Sequence, residues 1–326
     1  MADDLVRLDS FDDGLSAVRG TATAASIGPT YGLHGDGIRL GDNTAYAYYF
    51  PTTNPFLIGF NLKVVDSGGS YLCQMGSYTR FQYDGAGSRV GINWYKGTLW
   101  SLPGSVPLNE WHYVEFLIYS NTGNAGYAKI WVDGILEGTA TGVDFQANEI
   151  GATEGLGGGS SSTIDDFYVD DLYVLNNCSL STVPFGPGEV VVPLPSGNGN
   201  SSQLLGSDGN SVDNHLLVDE NPPNETDYVG SGTDGEKDTY AFDNVASGVE
   251  IKGIAKVYYA QKTDSGVKYI KPVTRSGGTD YDDASMGLGE AWGMHEVYSR
   301  TDPDTAAEWT ESGFNAAEFG MKVSDT

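Results

Sequence analysis

Cysteine is nearly absent from this chain of 326 residues, which carries only Cys73 and Cys178. Two cysteines so far apart do not form the disulfide framework that staples small secreted proteins, so we expect two free thiols in a protein made in a reducing cytoplasm. Stability must then come from hydrophobic cores, and the chain is long enough for two domains that each have one.

Basic residues are also scarce, since 17 Lys and Arg stand against 44 Asp and Glu and leave a net charge of −27. Affinity for nucleic acid needs clustered Lys and Arg, so the composition argues against nucleic acid as a partner, and against anionic membrane surfaces for the same reason. We attribute the charge to solubility and resistance to self-association, with calcium binding as the alternative.

Long apolar runs and targeting segments are missing as well. No stretch approaches the roughly 20 apolar residues of a membrane span. The N-terminus MADDLVRLDSF lacks the basic and apolar regions of a signal peptide. The sequence therefore predicts a protein that is neither exported by a leader peptide nor inserted in a membrane.

The usual signatures of catalytic sites are absent from the sequence. It contains no Cys-x-x-Cys pair, no Gly-x-Ser-x-Gly turn, no phosphate-binding loop and no dinucleotide fingerprint. The histidines never stand at zinc-ligand spacing; they are His34, His112, His215 and His295. We therefore expect no zinc site and no enzyme of these classes.

Glycine and aromatic residues are abundant instead, with 45 Gly and 20 Tyr and almost no helix-length periodicity. Residues Asn109 to Val132 show most clearly a pattern of short strands joined by turns. Two segments with the two-residue alternation of strands flank a polar turn, and Asp133-Gly134 follows as a hairpin signal. The first segment is apolar on both sides, as in a strand covered on two faces. We predict that Trp111 is its most deeply packed residue, opposite Phe60 and Leu62.

The other strand signals are short and closely spaced, which favours an all-β protein of two β-sandwich domains. Pro, Gly, Ser and Asn are concentrated in residues 184–209, which we interpret as a linker with one short strand at Glu189–Leu194. The predicted domains are residues 1–183 and 210–326. In the second, we expect a hairpin between residues 249–261 and 268–275, a short helix within 306–317 and a last strand over 318–323.

Both halves resemble known families. In the first half, the motifs that resemble a known family are FDDG (11–14), GLHGDGIRL (32–40), NEWHYVEF (109–116), WVDG (131–134) and IDDFYVDDLYVL (164–175). Over about residues 5–178 these motifs resemble the concanavalin A-like jelly roll of laminin-G-like domains. The second half, with NHLLVDENPPNETDYVGS (214–231), GVEIKGIAKVYYAQK (248–262) and AEWTESGFNAAEFGMKV (307–323), resembles a domain of tailed-bacteriophage structural proteins, often found beside a laminin-G-like domain.

The resemblance implies a non-enzymatic virion protein on the particle surface, either a head decoration or a tail accessory or adhesion subunit. Its implied partners are other capsid or tail proteins, host-surface glycans and further copies of itself, and its implied location is the virion, after synthesis in the host cytoplasm. The alternative from another class is a carbohydrate-binding module or a jelly-roll glycoside hydrolase.

Acidic residues of the first domain are the candidates for catalysis or for metal binding. Jelly-roll glycosidases carry paired carboxylates at alternate positions on one strand, and that spacing is absent here, so we predict no catalytic residue; Glu115 stands alone among aromatics. Carboxylates in loops also suit calcium. The candidate ligands of a structural calcium ion are Asp12, Asp13, Asp165, Asp166, Asp170 and Asp171; otherwise we expect no cofactor.

Aromatic residues around one tight turn are the candidates for glycan contact. Trp94, Tyr95 and Trp100 flank Lys96-Gly97 and could stack on sugar rings, although rings at strand ends also serve as packing residues.

Overall fold

The computed structural model of the protein describes residues 4–11, 26–30, 32–40, 48–51, 53–66, 70–75, 79–94, 96–145, 153–156 and 167–326. The chain divides into two compact units, Met1–Val191 and Val192–Thr326. Both are built from antiparallel strands, and the described residues include a single short α-helix. The predicted all-β class is confirmed.

The first unit is a sandwich of two sheets. Its strands are β1 (Asp4–Asp9), β2 (Ser26–Gly28), β3 (Gly37–Leu40), β4 (Tyr48–Pro51), β5 (Phe56–Val64), β6 (Ser70–Met75), β7 (Thr79–Asp84), β8 (Arg89–Trp94), β9 (Gly97–Trp100), β10 (Trp111–Tyr119), β11 (Gly126–Val132), β12 (Ile135–Val143), β13 (Thr153–Leu156) and β14 (Phe167–Asn176). The larger sheet has the order β12-β11-β10-β5-β14-β3-β2, with β1 also paired to β14, and the smaller has the order β4-β13-β6-β7-β8-β9. The two sheets enclose one core, as in the predicted jelly roll.

The hairpin predicted around residues 109–132 is confirmed. Strands β10 and β11 pair from Val114–Val132 to Tyr119–Tyr127. Asp133 and Gly134 both have positive φ angles, 51° and 78°. A two-residue hairpin turn whose twist matches the strands requires this conformation, and Asp-Gly adopts it at low cost.

The core lies on one face of β10, and it is not the face that we expected. Phe116 is fully buried and stacks on Phe81 of the opposing sheet with ring centroids 4.2 Å apart. Trp111 alternates onto the other face with Tyr113 and remains partly exposed. The prediction that Trp111 is the most deeply packed residue of this strand is therefore wrong.

The outer face of the larger sheet is covered by the chain itself, which explains why β10 is apolar on both sides. We call residues 178–190 the strap. Lys129 of β11 donates to the Leu180 carbonyl at 2.8 Å, and the Phe185 ring stacks on Tyr173 of β14 at 4.4 Å. The strap belongs to the first unit, so the division between units falls at Val191, within the predicted linker 184–209.

The strand predicted at Glu189–Leu194 is wrong. Residues 189–194 form no strand, and the strand of this region is Pro195–Ser202. A tertiary contact takes the place of strand pairing here, because the Val190 N–H donates to the Asp171 carboxylate of β14 at 2.7 Å.

The second unit combines one larger sheet with two ribbons. Its elements are β15 (Pro195–Ser202), β16 (Leu205–Gly206), β17 (Val229–Gly230), β18 (Lys237–Phe242), β19 (Ile254–Ala260), β20 (Tyr269–Ser276), β21 (Thr279–Asp282), β22 (Met286–Gly287), β23 (Gly293–Ser299), α1 (Glu311–Ala316) and β24 (Glu318–Ser324). The sheet has the order β15-β18-β24-β20-β21, with β22 also on β20, and the ribbons are β16-β17 and β19-β23.

The hairpin predicted between residues 249–261 and 268–275 is wrong. Strand β19 pairs with β23, and β20 pairs with β24, β21 and β22. Side chains of β19 instead reach the face of the larger sheet, since Lys256 Nζ donates to Thr274 Oγ1 and Tyr258 Oη donates to the Gly320 carbonyl, both at 2.8 Å. These polar contacts hold β19 against the face of that sheet.

The helix and the last strand at the C-terminus are confirmed. Thr310 caps α1 by accepting from the Gly313 N–H at 3.0 Å, which satisfies one of the free donors of the first turn. The helix places Phe314 against Trp309 and Phe319, and these rings form the aromatic centre of a small core.

Candidate functional site

Three buried carboxylates of the first unit, Asp170, Asp171 and Glu115, lie on the outer face of the larger sheet, and the last two bind the strap. The pairing of β14 with β5 is interrupted between Asp170 and Tyr173 by a bulge, in which Asp171 has a φ of 52°. A bulge adds a residue to one strand and redirects its side chains. Here it buries two consecutive carboxylates, each only 1% exposed.

Asp171 connects three separate parts of the first unit. Its Oδ2 accepts from His34 Nδ1 and from Asn61 Nδ2 of β5, both at 2.7 Å. Its Oδ1 accepts from the Val190 N–H of the strap at 2.7 Å. Ionised carboxylates make the stronger kind of hydrogen bond, so this side chain ties the strap and the loop before β3 to the sheet.

Asp170 binds the same loop through its backbone. Its Oδ2 accepts from the N–H groups of Leu33 and His34 at 2.7 and 3.0 Å, and its Oδ1 accepts from the Asp171 N–H at 2.8 Å. Burial raises the pKa of Asp170, and the neighbouring Asp171 raises it further. Burial likewise raises the pKa of Asp171, although its donors oppose the shift.

A metal ion is the first ligand to test at this place. One ligand atom from each of His34, Asp170 and Asp171 can lie within 4.8 Å of the others. All four carboxylate oxygens already accept N–H groups, however, and an imidazole nitrogen is not a donor that calcium prefers. The residues present therefore fit a structural hydrogen-bond network better than a calcium site. Asp12, Asp13, Asp165 and Asp166 lie outside the described residues, and structural calcium stays a prediction.

Glu115 is a third buried carboxylate on this face, which the sequence showed alone among aromatic residues and did not predict to be functional. Its Oε1 accepts from Tyr173 Oη at 2.6 Å and from the Gly186 N–H of the strap at 2.9 Å. Its Oε2 is buried without a hydrogen-bond partner in the described part of the chain. Burial raises the pKa of Glu115 because the charged form loses its hydration, and the bonds from Tyr173 and Gly186 offset only part of that.

The packing around Glu115 also explains why residue 59 is a glycine. A Cβ on Gly59 would lie 2.2 Å from Tyr173 Cε1 and 2.9 Å from Glu115 Cγ, too close for either contact. Gly59 thus lets the Tyr173 ring lie across β5 and reach Glu115. The sequence holds no signal for this arrangement, since Gly59, Glu115 and Tyr173 come from three strands far apart in the chain.

The aromatic residues predicted to contact glycans have packing partners in the structure. Trp94 lies against the buried Phe145 ring with centroids 5.8 Å apart, and the Arg89 guanidinium lies over the Trp100 ring at 4.8 Å. Tyr95 lies outside the described residues. Glycan contact at these positions stays a prediction.

Comparisons with known proteins identify no family. No family model matches the chain, and no curated protein matches it. Among the part of the chain that the structure describes, no helix is long and apolar enough to span a membrane.

Several solved structures are similar over part of the chain. An endo-β-1,4-glucuronan lyase from the fungus Trichoderma reesei is 13% identical, with a TM-score of 0.38 over 51% of this chain and 91% of that one. The binding domain of Paraclostridial Mosquitocidal Protein 1 is 10% identical, with a TM-score of 0.36 over 52% of this chain and 44% of that chain. A galectin from Caenorhabditis elegans is 11% identical, with a TM-score of 0.29 over 42% of this chain and 94% of that chain. Likeness at this level carries no conclusion about activity or ligand.

Proposed function

We propose that this protein is a non-enzymatic structural protein of a tailed-bacteriophage virion, exposed on the particle as a head decoration or as a tail accessory or adhesion subunit. It acts by contact, with its own and other virion proteins as partners. The virion assignment is supported by the resemblance of both halves of the sequence to domains that occur together in such proteins.

The observation that carries the non-enzymatic part is the use of three buried carboxylates of the first unit. Asp170, Asp171 and Glu115 accept N–H and O–H groups from the loop before β3, from β5, from β14 and from the strap. An acid or base must reach the proton that it transfers, whereas Asp171 and Glu115 bind the strap that covers them and Asp170 binds the loop before β3. Their role is to hold the strap and the loop before β3 against the larger sheet.

The charge of the chain is compatible with a surface protein present in many copies. A net charge of −27 makes neighbouring copies repel one another unless specific contacts are formed. Such repulsion limits uncontrolled clumping before assembly.

The virion assignment is tested on particles of the phage that encodes this sequence. Purified particles should contain the protein by mass spectrometry, and antibody-coupled gold should label the outside of the head or the tail in electron micrographs. Absence of the protein from washed particles, while the major capsid protein is detected, would overturn the proposal.

A jelly-roll glycoside hydrolase is the second candidate, and Glu115 favours it, because a buried carboxyl with a raised pKa beside tyrosines resembles a general acid. The test is release of reducing ends from a panel of polysaccharides by the purified chain. We expect none. Activity that disappears in Glu115→Gln or Asp170→Asn, with melting unchanged, would establish an enzyme instead.

A further inference from the structure

The β19–β23 ribbon of the second unit carries an aromatic surface that no core absorbs. Tyr259 of β19 stands directly opposite Met294 of β23, and directly opposed residues share one face of an antiparallel pair. Trp292, which immediately precedes β23, stacks on Tyr259 with centroids 5.3 Å apart and an interplanar angle of 18°. The two rings thus lie together at the end of the ribbon, and each remains partly exposed.

A third ring extends this surface from another part of the chain. Tyr228, just before β17, meets Trp292 edge-on with centroids 6.2 Å apart, and it is 45% exposed. We call Tyr228, Tyr259 and Trp292 the aromatic strip. None of the three belongs to the hydrophobic clusters found among the described residues. Tyr259 and Trp292 are partly buried, and contiguous aromatic residues at a surface mark a candidate interaction site.

Polar groups hold two of the rings in place. Tyr259 Oη donates to Glu225 Oε1 at 3.0 Å. With the Gln261 amide oriented so that its oxygen faces the indole, Trp292 Nε1 donates to that oxygen at 3.0 Å and the amide nitrogen donates to the Glu290 carbonyl at 3.2 Å. A surface whose side chains are already ordered loses less entropy when a ligand binds.

The residues beside the strip are acidic, and this decides which ligand suits it. Glu225 is exposed, and Asn224 Nδ2 donates to both Glu220 Oε1 and Asp227 Oδ2, at 3.2 and 3.0 Å. Carboxylates accept hydrogen bonds from hydroxyl groups and repel carboxylates and sulfates. A pyranose ring without charged substituents complements the strip. Its apolar C–H face can pack on the aromatic rings, and its hydroxyl groups can donate to the carboxylates beside them.

We infer that the aromatic strip is a binding site for a neutral carbohydrate. The inference deepens the adhesive part of the proposed function and rests on it for its biological meaning. The binding itself is measured on the isolated full-length chain, so it can fail or succeed independently of whether the protein is found on a particle.

The test is a titration of the full chain, followed by tryptophan fluorescence and calorimetry. The probes are neutral gluco-, manno-, galacto- and N-acetylglucosamine oligosaccharides, with alginate and polysialic acid as anionic counterparts. We expect saturable binding of at least one neutral probe and no binding of the anionic probes. Loss of one stacking ring, in Trp292→Ala or Tyr259→Ala, should weaken that binding about 10-fold or more.

Two further variants separate binding from folding. Tyr259→Phe retains the ring and removes only the bond to Glu225, so it should bind more tightly than Tyr259→Ala. Val183→Ala, in the first unit at a side chain 76% exposed, is the control and should leave the affinity unchanged. Melting curves identify any variant that is simply unfolded, in which case Tyr228→Ala replaces it.

Three results would overturn the inference. These are no binding of any neutral probe at millimolar concentration, wild-type affinity in the folded Trp292→Ala and Tyr259→Ala variants, and an equal loss of affinity in Val183→Ala and in the strip variants. If the strip variants bind no less sugar but fail to associate with a virion protein, the strip is a protein interface and the carbohydrate assignment is wrong.

Discussion

Glu115 shows at the scale of one residue how burial changes the chemistry of a side chain. Its carboxyl lies beneath the strap with one oxygen bonded twice and the other unpartnered among the described residues. Burial raises its pKa, as it raises the pKa values of Asp170 and Asp171. The folded state therefore holds these protons more tightly than the unfolded chain does.

The first prediction concerns the pH dependence of stability. A carboxyl whose pKa is higher in the folded state favours folding at low pH, and this contribution is lost as the pH rises from the unfolded pKa through the folded one. The first unit should therefore become less stable as pH rises above the ordinary carboxyl range. Glu115→Gln should flatten that slope by at most about 1.4 kcal/mol per pH unit, the value for one proton. Urea unfolding of wild type and variant at a series of pH values measures it.

Glu110→Gln is the control for this experiment, since the Glu110 side chain is 66% exposed at the end of the same strand. It should leave the slope unchanged. An unaltered slope in Glu115→Gln would mean that the Glu115 carboxyl is not protonated more readily in the folded state.

The second prediction compares two aromatic residues of β10. Phe116 is fully buried and stacks on Phe81, so Phe116→Ala should cost roughly 3–5 kcal/mol of unfolding free energy. Trp111 is partly exposed on the other face, and Trp111→Ala should cost less than about 2 kcal/mol. Chemical denaturation of both variants decides the order, and a larger loss at Trp111 would contradict the assignment of faces.

At the scale of elements, the strap is the segment on which the outer face of the larger sheet depends. It supplies the Phe185 ring to Tyr173, the Gly186 N–H to Glu115 and the Val190 N–H to Asp171. A fragment that ends at residue 183, the boundary predicted from composition, lacks all three contacts. One that ends at Val191 retains them.

The third prediction follows from these contacts. The fragment 1–191 should be more stable than 1–183 by roughly 2 kcal/mol or more, from one ring contact and two hydrogen bonds to buried carboxylates. Thermal melting of the two fragments provides the measurement. In the full chain, Phe185→Ala should lower stability, whereas Val183→Ala, at a side chain 76% exposed, should not. Equal melting of the two fragments would show that the strap contributes no stability.

At the scale of the whole molecule, the two units have separate cores. The core of the first includes Phe81 and Phe116, and that of the second includes Trp309, Phe314 and Phe319.

The fourth prediction is that the two units unfold in separate transitions. Scanning calorimetry should resolve two transitions, with Phe116→Ala lowering the temperature of one and Phe319→Ala lowering the other. Each variant removes a buried ring from one core only, so the second transition should stay within about 1 °C of its position in the wild type. A single transition that both variants shift would show that the chain unfolds as one cooperative unit.

The sequence predicted those features that depend on neighbouring residues. Alternation marked β10 and β11, Asp133-Gly134 marked the turn after them, and the capped helix and last strand were located to within a few residues. These features follow from local backbone preferences, which a short window of sequence contains.

The tertiary structure decided which face of each strand is buried and which strands pair. Strand β10 is apolar on both sides, so alternation could not tell the core face of Phe116 from the strap face of Glu115. Strand β19 pairs with β23 and not with β20, its neighbour in sequence, because both edges of β20 are occupied, one by β24 and the other by β21 and β22. The sequence by itself determined an all-β chain with its turns, whereas the candidate sites depend on contacts between residues far apart in the chain.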